Sequence, residues 1–164
     1  MSGVSFEEIM FTIMSATQET FKCYMSIELF AGQVERKLEP VDSDVTGIIG
    51  VAGDRVGYII IAADKFTAQL VAKEMMMIDE ADEDSIRDAI GELVNNIAGS
   101  FKTKYHSQYG SVAMGFPLVV SGQLRTVTEP PSADGPSMNV QCKGVTIPFT
   151  SKDGNVNLKI MIYM

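Results

Sequence analysis

The stretch Asp88-Ala-Ile-Gly-Glu92-Leu-Val-Asn95-Asn-Ile-Ala-Gly99 has a helical period, with its polar residues gathered on one side. At roughly 100° per residue, Asp88, Glu92, Asn95 and Gly99 fall within a stripe about 60° wide. Ile90, Leu93, Ile97 and Phe101 lie opposite and form the expected core face. A helix with one apolar face, here expected from about Asp84 to Tyr105, must bury that face against another layer. The stripe itself is expected at the solvent, a carboxylate and a carboxamide one turn apart and able to act on the same small group. Gly91 and Gly99 lie at or beside it, each costing the helix about 1 kcal/mol relative to alanine. Glycine there leaves room for something to approach.

The flanking sequence supplies a sheet for that helix. Val45–Val51 and Val56–Ala63 are apolar and rich in β-branched residues, and Ala52-Gly53-Asp54-Arg55 between them is a hairpin signal. Asp64 caps a second helix running to about Met77. The acidic run from Asp79 to Ser85 reads as a solvated linker leading into an acidic first turn. Near the start, Ser5 to about Met25 reads as an amphipathic helix, with Ser5 as N-cap and Glu8 completing a capping box. Ile27–Leu38 is expected to include a short strand. Past the long helix, Ser111–Ser121, Met138–Phe149 and Val156–Tyr163 are strand candidates, with Asp153-Gly154 a turn between the last two. Thr126–Pro136, with three prolines, reads as loop. The apolar terminal strand must be paired or covered.

This order, helix, strands and helix followed by helix and strands, divides into two similar halves. Ser15-xxx-Glu19-xx-Lys22 repeats the spacing of Asp88-xxx-Glu92-xx-Asn95. Its stripe is expected opposite an apolar side carrying Met10, Ile13 and Tyr24. The expected architecture is a single α+β domain over residues 1–164. It has two layers, two long helices on a largely antiparallel sheet, with a pseudo-twofold internal repeat.

Composition narrows the function classes. A net charge of −8 disfavours a nucleic-acid partner, which requires a cationic face. Lys102 and Lys104 near the end of the long helix match its dipole, as does His106. Cys23 and Cys142 are too few for a disulfide framework, and His106 is the sole histidine, which excludes His-based zinc sites. No apolar run approaches the roughly 20 residues that span a bilayer. The first eight residues lack the basic start of a signal peptide. The expected location is the cytoplasm, away from membranes. Met75-Met-Met77 reads as adaptable core filling, and the hairpin glycines as turn chemistry.

An exposed glutamate is a carboxylate at neutral pH, and an asparagine cannot act as a base. Together they can position a water and pair with a cation, but they cannot activate a poor nucleophile. A suitable substrate is therefore already activated. An acyl phosphate fits, because its hydrolysis needs mainly alignment of water and charge stabilisation. Two other readings stay open on the residues alone. One is a non-catalytic binding module, a scaffold that docks a partner through the same helix. The other is a carboxylate-pair hydrolase built on Asp88 and Glu92.

Asp88-xxx-Glu92-xx-Asn95 followed by Pro117 resembles the D/S-xxx-E-xx-N…P signature of the CheC/CheX/FliY chemotaxis phosphatases. Together with Thr46-Gly-Ile-Ile-Gly-Val-Ala-Gly53, it is most similar to the CheX branch. The resemblance implies hydrolysis of the aspartyl phosphate on a CheY-like response regulator. Asn95 would orient the attacking water and Glu92 would anchor the receiver's lysine, with Asp88, Gly91 and Gly99 at the contact surface. The chain would have no metal or cofactor of its own, since the Mg²⁺ belongs to the receiver. The resemblance also implies a homodimer. Lys22 stands where some relatives carry a second asparagine, and an ammonium has no acceptor with which to orient a water. One active site per chain follows.

Overall fold

Ser5 and Asp64 cap their helices where the sequence places them, and the long helix, expected from about Asp84, is capped at Asp82. The computed structural model describes residues 4–36, 42–122 and 144–164. Helix α1 (Phe6–Met25) is capped by Ser5, whose N–H donates to Glu8 Oε2 at 2.7 Å while Glu8 N–H donates to Ser5 Oγ at 3.2 Å. Strand β1 (Leu29–Ala31) is short, and β2 (Val45–Gly53) and β3 (Gly57–Ala63) form the expected hairpin. Helix α2 (Lys65–Met76) starts at Asp64, whose Oδ1 accepts from Thr67 N–H at 2.7 Å. Helix α3 (Glu83–Gln108) starts at Asp82 in the same manner, accepting from Ser85 N–H. Strands β4 (Val112–Met114), β5 (Leu118–Ser121), β6 (Gly144–Ser151) and β7 (Asn157–Tyr163) complete the described elements. Replacing Asp64 by alanine is expected to lower stability by about 1 kcal/mol. Asp64→Asn should retain most of it, and thermal unfolding reads the difference.

The described strands form one seven-stranded antiparallel sheet in the order β1-β6-β7-β3-β2-β4, with β5 also on β2. Hairpins β2–β3 and β6–β7 meet where β3 pairs β7, from Tyr58↔Tyr163 to Ala63↔Leu158. The short strand after α1 joins the second hairpin, and the short strand after α3 joins the first. Each half thus lends its edge strand to the other, which gives the internal repeat a spatial form. The core lies between the sheet and the helices, around Ile13, Phe21, Ile49, Ile59, Ile61, Ile90, Ile97, Phe101 and Phe149. On the opposite sheet face, Ile60, Ala62 and Met161 form a smaller cluster. The α+β expectation holds, with α2 a shorter third helix beside the two long ones.

Three local expectations change. Ser111–Ser121 is two strands. Val51 pairs Met114 and Ile48 pairs Leu118, so Gly50 and Ile49 on β2 face Gly115, Phe116 and Pro117. The extra residue is a β-bulge, a place where proline's missing N–H is tolerated. Met76 and Met77 are exposed and are not core filling, because α2 ends in a left-handed cap at Met77 (φ 54°); only Met75 packs on the core. Tyr24, expected on the apolar side of α1, is 57% exposed. The expected loop Thr126–Pro136, Cys142, and the strand portion from Met138 to Lys143 lie outside the described residues.

Candidate functional site

Helix α3 is held from below along most of its length. Ile86, Ile90, Leu93, Val94, Ile97, Phe101 and Tyr105 are buried, and the Phe101 and Tyr105 rings stack at 5.6 Å. Gly47 of β2 lets the helix come close: a Cβ there would sit 3.1 Å from Ile90 Cγ2 and 3.4 Å from Val94 Cβ. With that face fixed, Asp88, Glu92, Asn95 and Gly99 all emerge exposed, as the helical period requires. The side chains of Asp88, Glu92 and Asn95 make no hydrogen bond or ion pair with another described residue. They stand ready for a visitor, on a firmly packed support.

The corresponding stripe on α1 is already engaged. Glu19 pairs with Lys104 Nζ at 2.7 Å and accepts from Ser100 Oγ at 3.3 Å, so it bridges the two long helices. The hydrogen bond and charge of Lys104 hold the Glu19 carboxyl below its ordinary range. Lys104, read from sequence as a dipole partner, is in fact this interhelical cation. His106 does lie in the last turn of α3, with Nδ1 3.2 Å from Gly110 O.

Beside Asn95 runs an open groove of about 510 Å³ between the long helices. Glu19, Thr20, Cys23 and Tyr24 line it on α1, and Asn95, Asn96, Gly99 and Ser100 on α3. A Cβ on Gly99 would meet nothing within 4 Å, so its lack of a side chain opens surface. Gly91 differs: a Cβ there would touch Val119 Cγ2 of β5 at 3.5 Å. Gly91 thus lies beside the edge strand β5 and does not line the groove. Asn96 Nδ2 is buried with no hydrogen-bond partner among the described residues.

Sequence reasoning missed Tyr24. Helical projection aligns it with Ile13, but Phe21 and Met25 take the buried positions of the last turn of α1. Tyr24 lies instead on the wall of the groove that α1 shares with Asn95, Asn96, Gly99 and Ser100 of α3. Among the described residues, no group of three or more His, Cys, Asp or Glu could hold a metal ion. No helix among them is long and apolar enough to cross a membrane.

Residues 45–150, more than half of the chain and including both the α3 stripe and Pro117, match the family model described as chemotaxis phosphatase CheX. The chain belongs to the CheX family. No curated protein matches it by sequence. Among solved structures, the CheX chemotaxis protein of Desulfovibrio desulfuricans is similar with a TM-score of 0.79 at 23% identity, over 96% of this chain and 99% of that one. The CheX-CheY-BeF3-Mg+2 complex of Borrelia burgdorferi is similar with a TM-score of 0.69 at 22% identity, over 94% and 96%. Thermotoga maritima FliY follows with a TM-score of 0.62 at 18% identity, over 97% and 90%. These likenesses extend the CheX fold over α1 and β7, which lie outside the family match.

Proposed function

We propose that the chain hydrolyses the aspartyl phosphate of a phosphorylated CheY-like response regulator. Asn95 accepts a hydrogen bond from the attacking water and aligns its lone pair with phosphorus. Glu92 pairs with the receiver's lysine beside the phosphoryl group and holds the helix in register. Water adds to phosphorus as the bond to the acyl oxygen breaks, releasing inorganic phosphate and restoring the aspartate carboxylate. The acyl phosphate is labile, so alignment is the contribution the protein must make. The Mg²⁺ that neutralises phosphoryl charge is part of the receiver. Asp88 and Gly99 lie at the rim of the contact, and the protein works as a cytoplasmic homodimer.

One observation carries this reading. A carboxylate and a carboxamide, both exposed and without described partners, sit one turn apart on a helix whose opposite face is buried. Membership in a family described as chemotaxis phosphatases agrees with it. So does the relative from Borrelia burgdorferi, solved as a complex with CheY and BeF3.

The test is phosphate release from a phosphorylated receiver. Glu92→Ala is expected to weaken receiver binding about tenfold or more, since it strips one partner from a charge pair that becomes desolvated on docking. If wild type, Glu92→Ala and Asn95→Ala all leave release at the receiver's spontaneous rate, the helix is a docking scaffold and not a catalyst.

A further inference from the structure

From the groove beside Asn95 we infer a second element of receiver recognition, carried by the first helix: Tyr24, standing over the open surface at Gly99, forms a slot that holds the receiver segment lying next to its acyl phosphate. This inference rests on the function proposed above, and it assigns α1 a part in selecting the partner.

Three independent features of the groove point to an occupant. Tyr24 is more than half exposed although its place in the helical period aligns it with the core residue Ile13. A large aromatic left at the surface is the residue type most often found as an anchor at protein interfaces. Gly99 interrupts the middle of a 26-residue helix, yet a Cβ there would meet no described residue within 4 Å. The fold therefore has no need of that glycine, whereas a partner backbone approaching closely does. Asn96 lines the same groove with a buried amide nitrogen that lacks a partner among the described residues, and a buried polar atom in that state calls for a ligand or another cause.

Position then decides which partner. Asn95 is itself a wall of the groove. A receiver that brings its phosphoryl group to the Asn95 carboxamide must lay the neighbouring part of its surface across Gly99 and against Tyr24. The Glu19–Lys104 pair ties α1 to α3 at the same place, so the two walls keep their spacing without the partner.

Tyr24 is a positioning residue, and its test separates binding from turnover. The probes are the phosphorylated receiver for steady-state release and the same receiver loaded with beryllofluoride for equilibrium binding. Tyr24→Ala is expected to raise KM and the dissociation constant about tenfold, with kcat at saturation within about twofold of wild type. Tyr24→Phe should restore most of the affinity. Gly99→Leu, which fills the open surface, should reproduce the affinity loss while raising thermal stability through better helix propensity. A structural role alone would not pair higher stability with weaker binding. Unchanged KM and affinity in both Tyr24→Ala and Gly99→Leu, with wild-type release intact, overturn the slot and leave the proposed function standing. A wild type that neither binds the loaded receiver nor releases phosphate overturns both.

Discussion

Asn95→Ala is expected to bring phosphate release down to the receiver's own spontaneous rate, a loss of about 100-fold or more, while affinity for the beryllofluoride-loaded receiver stays within about threefold of wild type. The reason lies in what the side chain contributes. Asn95 is exposed and makes no contact that holds the fold, so its removal leaves α3 in place and takes away only the group that aligns the water. Asn95→Gln sharpens the point. It keeps the carboxamide and moves it outward by roughly one 1.5 Å bond, and a displacement of that size costs on the order of 100-fold. Thermal unfolding of both variants should match wild type, as for exposed substitutions generally. Single-turnover release with phosphatase in excess measures the chemical step directly. Near-normal turnover in Asn95→Ala would remove that residue from the reaction and the proposed mechanism with it.

The second large effect is on folding. Gly57→Ala is expected to lower stability by about 3 kcal/mol, at the upper end for overpacking, and the melting temperature by about 6–12 °C. A Cβ on Gly57 would overlap the Tyr163 carbonyl oxygen and lie 2.9 Å from Met164 Cα. Those are backbone atoms and cannot rotate aside, so the end of β7 must leave β3. The loss falls on the seam between the halves, including the Tyr58–Tyr163 ring contact at 5.3 Å. Gly50→Ala, in the same hairpin, is the control: a Cβ there meets only Tyr58 Cε1, at 3.9 Å. It should be tolerated or mildly stabilising. Equal melting temperatures for the two variants would contradict the packing at the seam.

These two glycines lie seven residues apart and look alike in the sequence. Neither has the left-handed backbone that makes glycine obligatory at Gly53, with φ of 122°. What separates them is the end of β7, more than a hundred residues away, which passes over one and not the other. The same contrast holds for the two glutamates of the repeated spacing. Glu19 and Glu92 occupy equivalent places on amphipathic helices. Glu19 is engaged by Lys104, 85 positions onward, while Glu92 has no described partner. Local pattern revealed the pair; only the packing of α1 beside α3 showed which member is available.

Tyr24 and the edge strand make the complementary case. Projection onto a helix wheel reports which side is apolar along the whole element, and it placed Ile13 correctly. It does not report where the covering layer ends, and Tyr24 is left exposed on the wall of the groove between the long helices. Similarly, the sequence marks Ser111–Ser121 as one strand candidate. The bulge at Phe116 and Pro117 arises from register against β2, which is a property of the pair.

By itself the sequence determined the helices and the caps at Ser5 and Asp64, the β2–β3 hairpin, the buried face of α3 and the exposed line from Asp88 to Gly99. Each of these follows from interactions within about four residues or from hydrophobic periodicity along one element. Tertiary structure decided the strand order, the exchange of edge strands between the halves, the engagement of Glu19, the open groove at Tyr24 and the intolerance of Gly57. Those depend on contacts between residues distant in the chain. Burying an apolar face is favourable against many possible partners, so a pattern that demands burial does not specify which one covers it.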